Sequence, residues 1–288
     1  MQKVYLNGNM LPIAEARVSA MDAGLLLGAG VFETLRAYDG FVFRLDDHLV
    51  RLATSARELD IPLQETHDEL ADAVAKTIAA CGLRDARVRI TLTRGSLGGG
   101  PEGEAPRATC LVTAGEMTPY PDELYERGMT VTLSEVRVNE KDPLCCHKTT
   151  SYMTNLMILR DAHARGAQES LRFNGPGRLA EGSISNVFLV RSGRLLTPPV
   201  SEGCLPGVTR KAVLELAAEA GLPAGEEPLA APRVLEADEV FLTNTIMEVM
   251  PVCRVERHAL ADEKPGPVTR QLMALYKEQV EKERAAER

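Results

Sequence analysis

Lys148 and Glu181 are the side chains whose types and spacing point most directly to chemistry. Lys148 follows Cys145-Cys146-His147 and precedes Thr149-Thr150-Ser151-Tyr152. Thirty-three positions later Glu181 sits in Leu179-Ala180-Glu181-Gly182-Ser183-Ile184-Ser185-Asn186. A lysine whose amine is neutral condenses with a carbonyl to give a Schiff base. Burial or a nearby cation frees that amine, and His147 is a neighbour of the right kind, although adjacent residues on a strand point to opposite faces. A glutamate that meets an aromatic nitrogen holds it protonated. Taken singly, each residue is more simply a solvated surface charge.

A third element is Cys204-Leu205-Pro206-Gly207-Val208-Thr209-Arg210, directly before a helical pattern. Gly207 permits close backbone approach, and Val208 and Thr209 open a helix whose first N–H groups and positive dipole end suit an anion. Arg51 can clamp the same anion with a charge-assisted fork. Asn244 and Thr245, at the end of a strand pattern, offer further donors; the plainer reading there is a turn sealed by its own side chains. An amine for an aldehyde, an acid for a ring nitrogen and a cradle for a phosphate are together what pyridoxal phosphate asks of a protein.

These groups have to be positioned by helices and strands that the periodicity outlines. Arg44 to Leu59 reads as a helix, with Leu45, Leu49, Leu52, Ala56 and Leu59 on one stripe and Arg51 beside it. Glu65 to Cys81 is a second helix stopped by Gly82. Ala86 to Thr93 alternates as a strand, and Arg107 to Thr113 is its partner after a glycine-rich loop from Gly95 to Gly103. Past the proline-bearing stretch Gly115 to Asp122, strand alternation runs from Gly128 to Val138. Ser151 to Arg165, Val208 to Ala220 and Pro267 to Glu283 are helical; Asn186 to Val190 and Arg194 to Thr197 form a hairpin around Ser192-Gly193; Glu239 to Thr243 is a strand. Strands and helices mix without strict alternation, which predicts two α+β domains meeting near residue 120.

The chain has 288 residues, 44% hydrophobic and 26% charged, enough to bury a sizeable core. A net charge of −8 disfavours nucleic acid and anionic membranes as partners. No segment reads as a signal peptide or a bilayer span. The six cysteines lack zinc-type spacing, which fits buried thiols in a reducing cytoplasm.

In their order and spacing, the segments Gly30-Val31-Phe32-Glu33-Thr34-Leu35-Arg36, His48-Leu49-Val50-Arg51-Leu52, Lys148, Glu181 to Asn186, Leu205 to Arg210 and Ala237 to Asn244 resemble the class IV, branched-chain-aminotransferase-like, pyridoxal-phosphate enzymes. The resemblance covers nearly the whole chain. It implies a two-domain α+β fold of that type, with a smaller domain over 1–118 and a larger cofactor-binding domain over 119–288. It implies that Lys148 bears the Schiff base and shuttles protons, that Glu181 pairs with the pyridine nitrogen, and that Arg51, Gly207, Val208, Thr209, Asn244 and Thr245 bind the cofactor around its phosphate. Tyr152 is the counterpart of a tyrosine on the ring hydroxyl, displaced by one residue. Thr34, Arg36 and Arg94 are the implied contacts to a small amino substrate. A homodimer is implied as well.

The resemblance covers several activities. Phe32-Glu33-Thr34, Arg94-Gly95-Ser96-Leu97-Gly98-Gly99-Gly100 and Thr243 to Val252 are similar to 4-amino-4-deoxychorismate lyases, which release 4-aminobenzoate and pyruvate. That lyase is the expected activity. The alternative is an aminotransferase acting on branched-chain or D-amino acids with 2-oxoglutarate.

Overall fold

The structure is a computed structural model that describes residues 2–97, 107–260 and 263–287. Gly98, Gly99, Gly100 and Gly103 of the expected glycine-rich loop lie outside the described residues. The chain divides into two compact units. The first comprises Met1–Thr118, His147–Ser151 and Arg284–Arg288; the second comprises Pro119–Cys146 and Tyr152–Glu283.

The first unit is built on β1 (Lys3–Leu6), β2 (Asn9–Pro12), β3 (Gly30–Tyr38), β4 (Phe41–Val42), β5 (Ala86–Thr93) and β6 (Thr109–Glu116), in the order β2-β1-β6-β5-β3-β4. Its helices are α1 (Ala23–Leu27), α2 (Leu45–Glu58) and α3 (His67–Cys81). Alternation sorts the sheet into two faces. Val31, Leu35 and Ala37 of β3 and Val88, Ile90 and Leu92 of β5 point into a core closed by Leu49, Leu52 and Ala56 of α2 and Leu70, Val74 and Ile78 of α3. Each large aliphatic side chain buried there contributes roughly 1.5–3 kcal/mol. Phe32, Thr34 and Arg36 take the other phase of β3, opposite Thr91, Arg89 and Arg87 in the antiparallel register. Thr66 and Glu69 form a capping box at the start of α3, and Gly82 ends it in the left-handed region at φ 67°.

The second unit holds α4 (Asp122–Arg127), β7 (Met129–Leu133), α5 (Met153–Ala164), β8 (Glu169–Phe173), β9 (Leu179–Gly182), β10 (Asn186–Arg191), β11 (Arg194–Thr197), α6 (Val208–Glu219), β12 (Ala224–Glu226), α7 (Pro232–Leu235), β13 (Glu239–Asn244), β14 (Glu248–Val255), β15 (His258–Ala259) and most of α8 (Pro267–Ala286). Eight strands run in the order β12-β11-β10-β13-β14-β7-β8-β9, and β15 pairs with β14. The expected strand over 128–138 stops at Leu133, because Ser134 Oγ accepts the Val136 N–H at 3.1 Å and turns the chain out of the ladder. The hairpin between β10 and β11 turns at Ser192 and Gly193, both at positive φ. Among the described residues no helix is long and apolar enough to cross a membrane. All six cysteines are free thiols; Cys110 and Cys204 are buried and the other four half-buried.

Candidate active site

The candidate residues fall into two groups, one in each unit. Lys148, Arg51, Thr34, Arg36 and Arg94 lie in the first; Glu181, Gly207, Val208, Thr209, Asn244, Thr245 and Tyr152 lie in the second.

Lys148 is held by the start of β3. Its carbonyl accepts the Phe32 N–H at 2.8 Å, Thr150 N donates to the Gly30 carbonyl at 2.8 Å, and Thr149 bridges Val31. The run 143–147 is a turn leading into this short pairing, so the opposite-face rule for strands does not apply to His147. That ring goes to α2: Nδ1 lies 2.9 Å from Ser55 Oγ and Nε2 3.4 Å from Glu58. The Lys148 amine sits 4.6 Å from the centroid of Phe32, and the Arg89 guanidinium sits 3.7 Å from the same ring.

Arg51 leaves the stripe of α2 to meet Glu33. Glu33 occupies the inward phase of β3, where Val31 and Leu35 are apolar, and it is 1% exposed. Its carboxylate accepts from Arg51 Nε at 2.7 Å, Arg51 Nη2 at 2.6 Å and His48 Nδ1 at 2.8 Å. Burial pushes this carboxyl up, but the Arg51 charge and the bonds from both partners outweigh it and hold it down at about 2. Burial lowers the His48 pKa against the pull of Glu33, and the cations Arg51 and Lys148 lower it further. His48 therefore senses both Arg51 and Lys148. A carboxylate accepts only, so His48 carries its proton on Nδ1.

Thr34 and Arg36 lie on the outer phase of β3, where the Arg36 guanidinium stacks on Tyr38 at 4.5 Å. Arg94, expected against a substrate carboxylate, is half exposed, and its Nη2 lies 2.7 Å from Asp60. Arg89, opposite Thr34, was legible only as the polar phase of a strand; its register places it on the Lys148 face.

In the second unit, three segments far apart in sequence are tied together by their own polar groups. Glu181 Oε2 accepts the Leu205 N–H at 2.9 Å, Asn186 Nδ2 donates to the Leu205 carbonyl at 2.8 Å, and Asn244 Nδ2 donates to the Ile184 carbonyl at 3.1 Å. Gly207 is the N-cap of α6, and no side chain caps that helix. A Cβ on Gly207 would lie 2.0 Å from Asn186 Oδ1, so only glycine admits the Asn186 contact. Asn244 Oδ1 accepts from Ile246 N and Met247 N at 2.9 and 2.8 Å. It seals the turn bearing Thr245, the plainer of the two readings open to it. Tyr152 is the N-cap residue of α5.

Two residues essential to this arrangement carry no motif. Glu169 is 1% exposed. It accepts from Ser170 N at 2.7 Å, Ser183 N at 3.0 Å, Ile184 N at 3.1 Å and Ser185 Oγ at 2.8 Å, and also from Ser183 Oγ, which together shape the turn after Glu181. Arg172 faces Glu181 across the β8–β9 pair. For Arg172 the one available signal was a charge between the apolar Leu171 and Phe173; Glu169, between Gln168 and Ser170, offered none.

The donor set fits pyridoxal phosphate. Glu181 supplies a carboxylate bonded to the Leu205 N–H, and the helix start at Gly207, which no side chain caps, supplies anion donors together with Thr209 and the Thr245 turn. The Cys204 thiol registers that carboxylate: burial first, then the Glu181 charge, pushes it up to about 12.

Comparison with known proteins agrees. The model of the family "Amino-transferase class IV" matches residues 30–255. The branched-chain-amino-acid aminotransferase of Escherichia coli (strain K12) is 30% identical over 285 residues, covering 95% of this chain and 91% of that protein. The D-alanine aminotransferase of Staphylococcus haemolyticus is 30% identical over 285 residues, covering 98% and 99%. Among solved structures, the branched-chain aminotransferase from the thermophilic archaeon Thermoproteus uzoniensis with norvaline is similar at TM-score 0.88 and 31% identity, covering 96% of this chain and 93% of that one.

Proposed function

The chain belongs to the class IV amino-transferase family, whose members depend on pyridoxal phosphate, and on that premise we propose that it transfers the amino group of a small α-amino acid to a 2-oxo acid. The observation that carries this reading is the Glu181–Leu205 hydrogen bond, which couples the ring-nitrogen acid to the segment that starts the anion-binding helix α6.

Bound pyridoxal phosphate supplies an aldehyde that takes an amine and a ring that accepts an electron pair. Lys148 Nζ would hold that group through its aldehyde, and when freed it would be the base that takes the proton from the substrate carbon bearing nitrogen and the acid that redelivers it. Glu181 keeps a proton on the ring nitrogen. In the second unit the N–H groups of Val208 and Thr209 and the Thr209 and Thr245 hydroxyls would be donors to its phosphate, and in the first unit the Arg51 guanidinium would be one. Arg89, beside Lys148 on the Phe32 ring, is placed to receive a substrate carboxylate.

The aminotransferase reading takes precedence over the expected lyase because the relatives compared are named branched-chain or D-alanine aminotransferases. Purified protein loaded with cofactor should convert a panel of L- and D-amino acids only when 2-oxoglutarate or another acceptor is present. Pyruvate release from 4-amino-4-deoxychorismate without acceptor would restore the lyase. Absence of a visible absorbance band, or its survival in Lys148→Ala, would remove the cofactor assignment to Lys148.

We infer further that the protein is a homodimer. Met21, Leu25, Leu26, Leu27 and Leu97 of the first unit are 49–70% exposed and lie together in sequence or through the Asp22–Ser96 bridge. Such a patch calls for a partner. A monomeric mass by light scattering would refute it. The six free thiols favour a reducing, cytoplasmic setting.

A further inference from the structure

Arg172 stands on β8 directly opposite Glu181 on β9. Its Nη1 lies 3.6 Å from Glu181 Oε1, and the two side chains are 11% and 13% exposed. Its Nε is buried without a hydrogen-bond partner among the described residues. Removing a guanidinium from water is costly unless a counter-charge faces it. Here the counter-charge is the acid assigned to the ring nitrogen. The other oxygen of that acid, Oε2, is occupied by the Leu205 N–H. The carboxylate thus has a hydrogen bond at one oxygen and a cation facing the other, and its negative charge is already shared.

We propose that Arg172 is a positioning residue for Glu181: it fixes the plane of the carboxylate and competes for its charge, so that the acid holds the cofactor ring proton less tightly than an unpaired glutamate would. The proposal rests on the assignment of Glu181 to the ring nitrogen. Its chemical consequence is a weaker electron sink. The ring still draws the pair left by proton removal, but with less pull towards side reactions at the neighbouring carbons. A purely structural arginine would affect stability and leave the ring nitrogen alone.

The test is the ring-nitrogen chemical shift of 15N-labelled pyridoxal phosphate, followed against pH in the loaded wild type and in Arg172→Leu, Arg172→Gln, Arg172→Lys and Glu181→Gln. Loss of the cation should let the ring keep its proton to higher pH in the Leu and Gln variants, by about one unit or more, a tenfold change in proton affinity. Lysine should restore most of the wild-type midpoint. If the leucine variant does not fold or load, the glutamine variant, which keeps a polar side chain opposite Glu181, carries the same comparison. Midpoints that coincide in wild type and the neutral variants, while Glu181→Gln shifts, overturn the role of Arg172 alone. A midpoint unmoved in Glu181→Gln overturns the assignment of Glu181 as well.

Discussion

Glu33 and Arg51 form a two-bond fork, Nε to Oε1 at 2.7 Å and Nη2 to Oε2 at 2.6 Å, across the packing of α2 on β3. A fork of this kind fixes the plane of the guanidinium as well as its position. The phosphate clamp proposed for Arg51 is therefore set by a carboxylate that itself faces the core. Glu33→Gln should remove the carboxylate charge and one of the two oxygens that face Arg51. The expected destabilisation is about 3–5 kcal/mol. Cofactor affinity should fall at least tenfold in parallel, read by urea unfolding and by cofactor titration. Unchanged affinity in a folded variant would separate Arg51 from the phosphate.

The same cluster predicts acid lability. The folded Glu33 pKa of about 2 lies below its ordinary 4.5, so the unfolded chain takes the proton first as pH falls. Its contribution is complete above 4.5 and is lost on the way down towards about 2, amounting to roughly 3 kcal/mol. His48, lowered by burial from 6.5, behaves likewise in a higher window: the unfolded imidazole charges first, and stability erodes as pH drops below 6.5. Urea midpoints should therefore decline from pH 7 to pH 5, and His48→Gln should flatten that part of the curve. A wild-type midpoint that holds constant or rises over the same interval contradicts the assignment.

Gly207→Ala should damage the cradle directly and disturb the acid only through the Leu205 N–H that Glu181 accepts. The added Cβ would meet Asn186 Oδ1 at 2.0 Å, forcing apart the contact that holds the 205 segment against β10. The stability cost is about 1–3 kcal/mol, typical of overpacking. The phosphate end should suffer more, so the affinity for inorganic phosphate as a competitor of cofactor loading should drop together with that for the cofactor. Retained affinity for both would mean that α6 does not bind the anion.

Glu169→Gln keeps the shape of the buried side chain but turns one acceptor into a donor. Ser170 N, Ser183 N, Ile184 N and the Ser183 and Ser185 hydroxyls then have a single acceptor oxygen among them. Leaving one backbone N–H unpaired costs about 1–3 kcal/mol. Because this turn follows Glu181 directly, the visible band of the bound cofactor should shift as well as the unfolding midpoint. A variant with wild-type stability would show that the five bonds are dispensable.

Much of the local structure was legible in the chain. Alternation over Ala86–Thr93 matches β5 residue for residue, and the helix ending at Cys81 stops at the glycine that a left-handed cap demands. Lys148 and Glu181 stood out because their flanking residues follow a family pattern. Glu169 and Arg172 lie outside those segments, and Glu33, although inside one, showed only a charge among apolar residues, which says that a partner exists without saying which. Even the position of Glu33 in the inward phase of β3 leaves every cation in the chain eligible.

What the sequence determined alone was therefore the inventory: an amine, an acid, an anion-binding helix start, and the periodic segments that carry them, all set by interactions within a few residues. Tertiary structure decided the pairings. Arg51 meets Glu33 across 18 residues, Leu205 meets Glu181 across 24, and Asn244 meets Ile184 across 60. Propensity and alternation act over one or two turns of chain, whereas a hydrogen bond requires its partners within about 3 Å in space. Only the packed sheets, with their register and their buried charges in need of counter-charges, choose among the many partners that sequence distance leaves open.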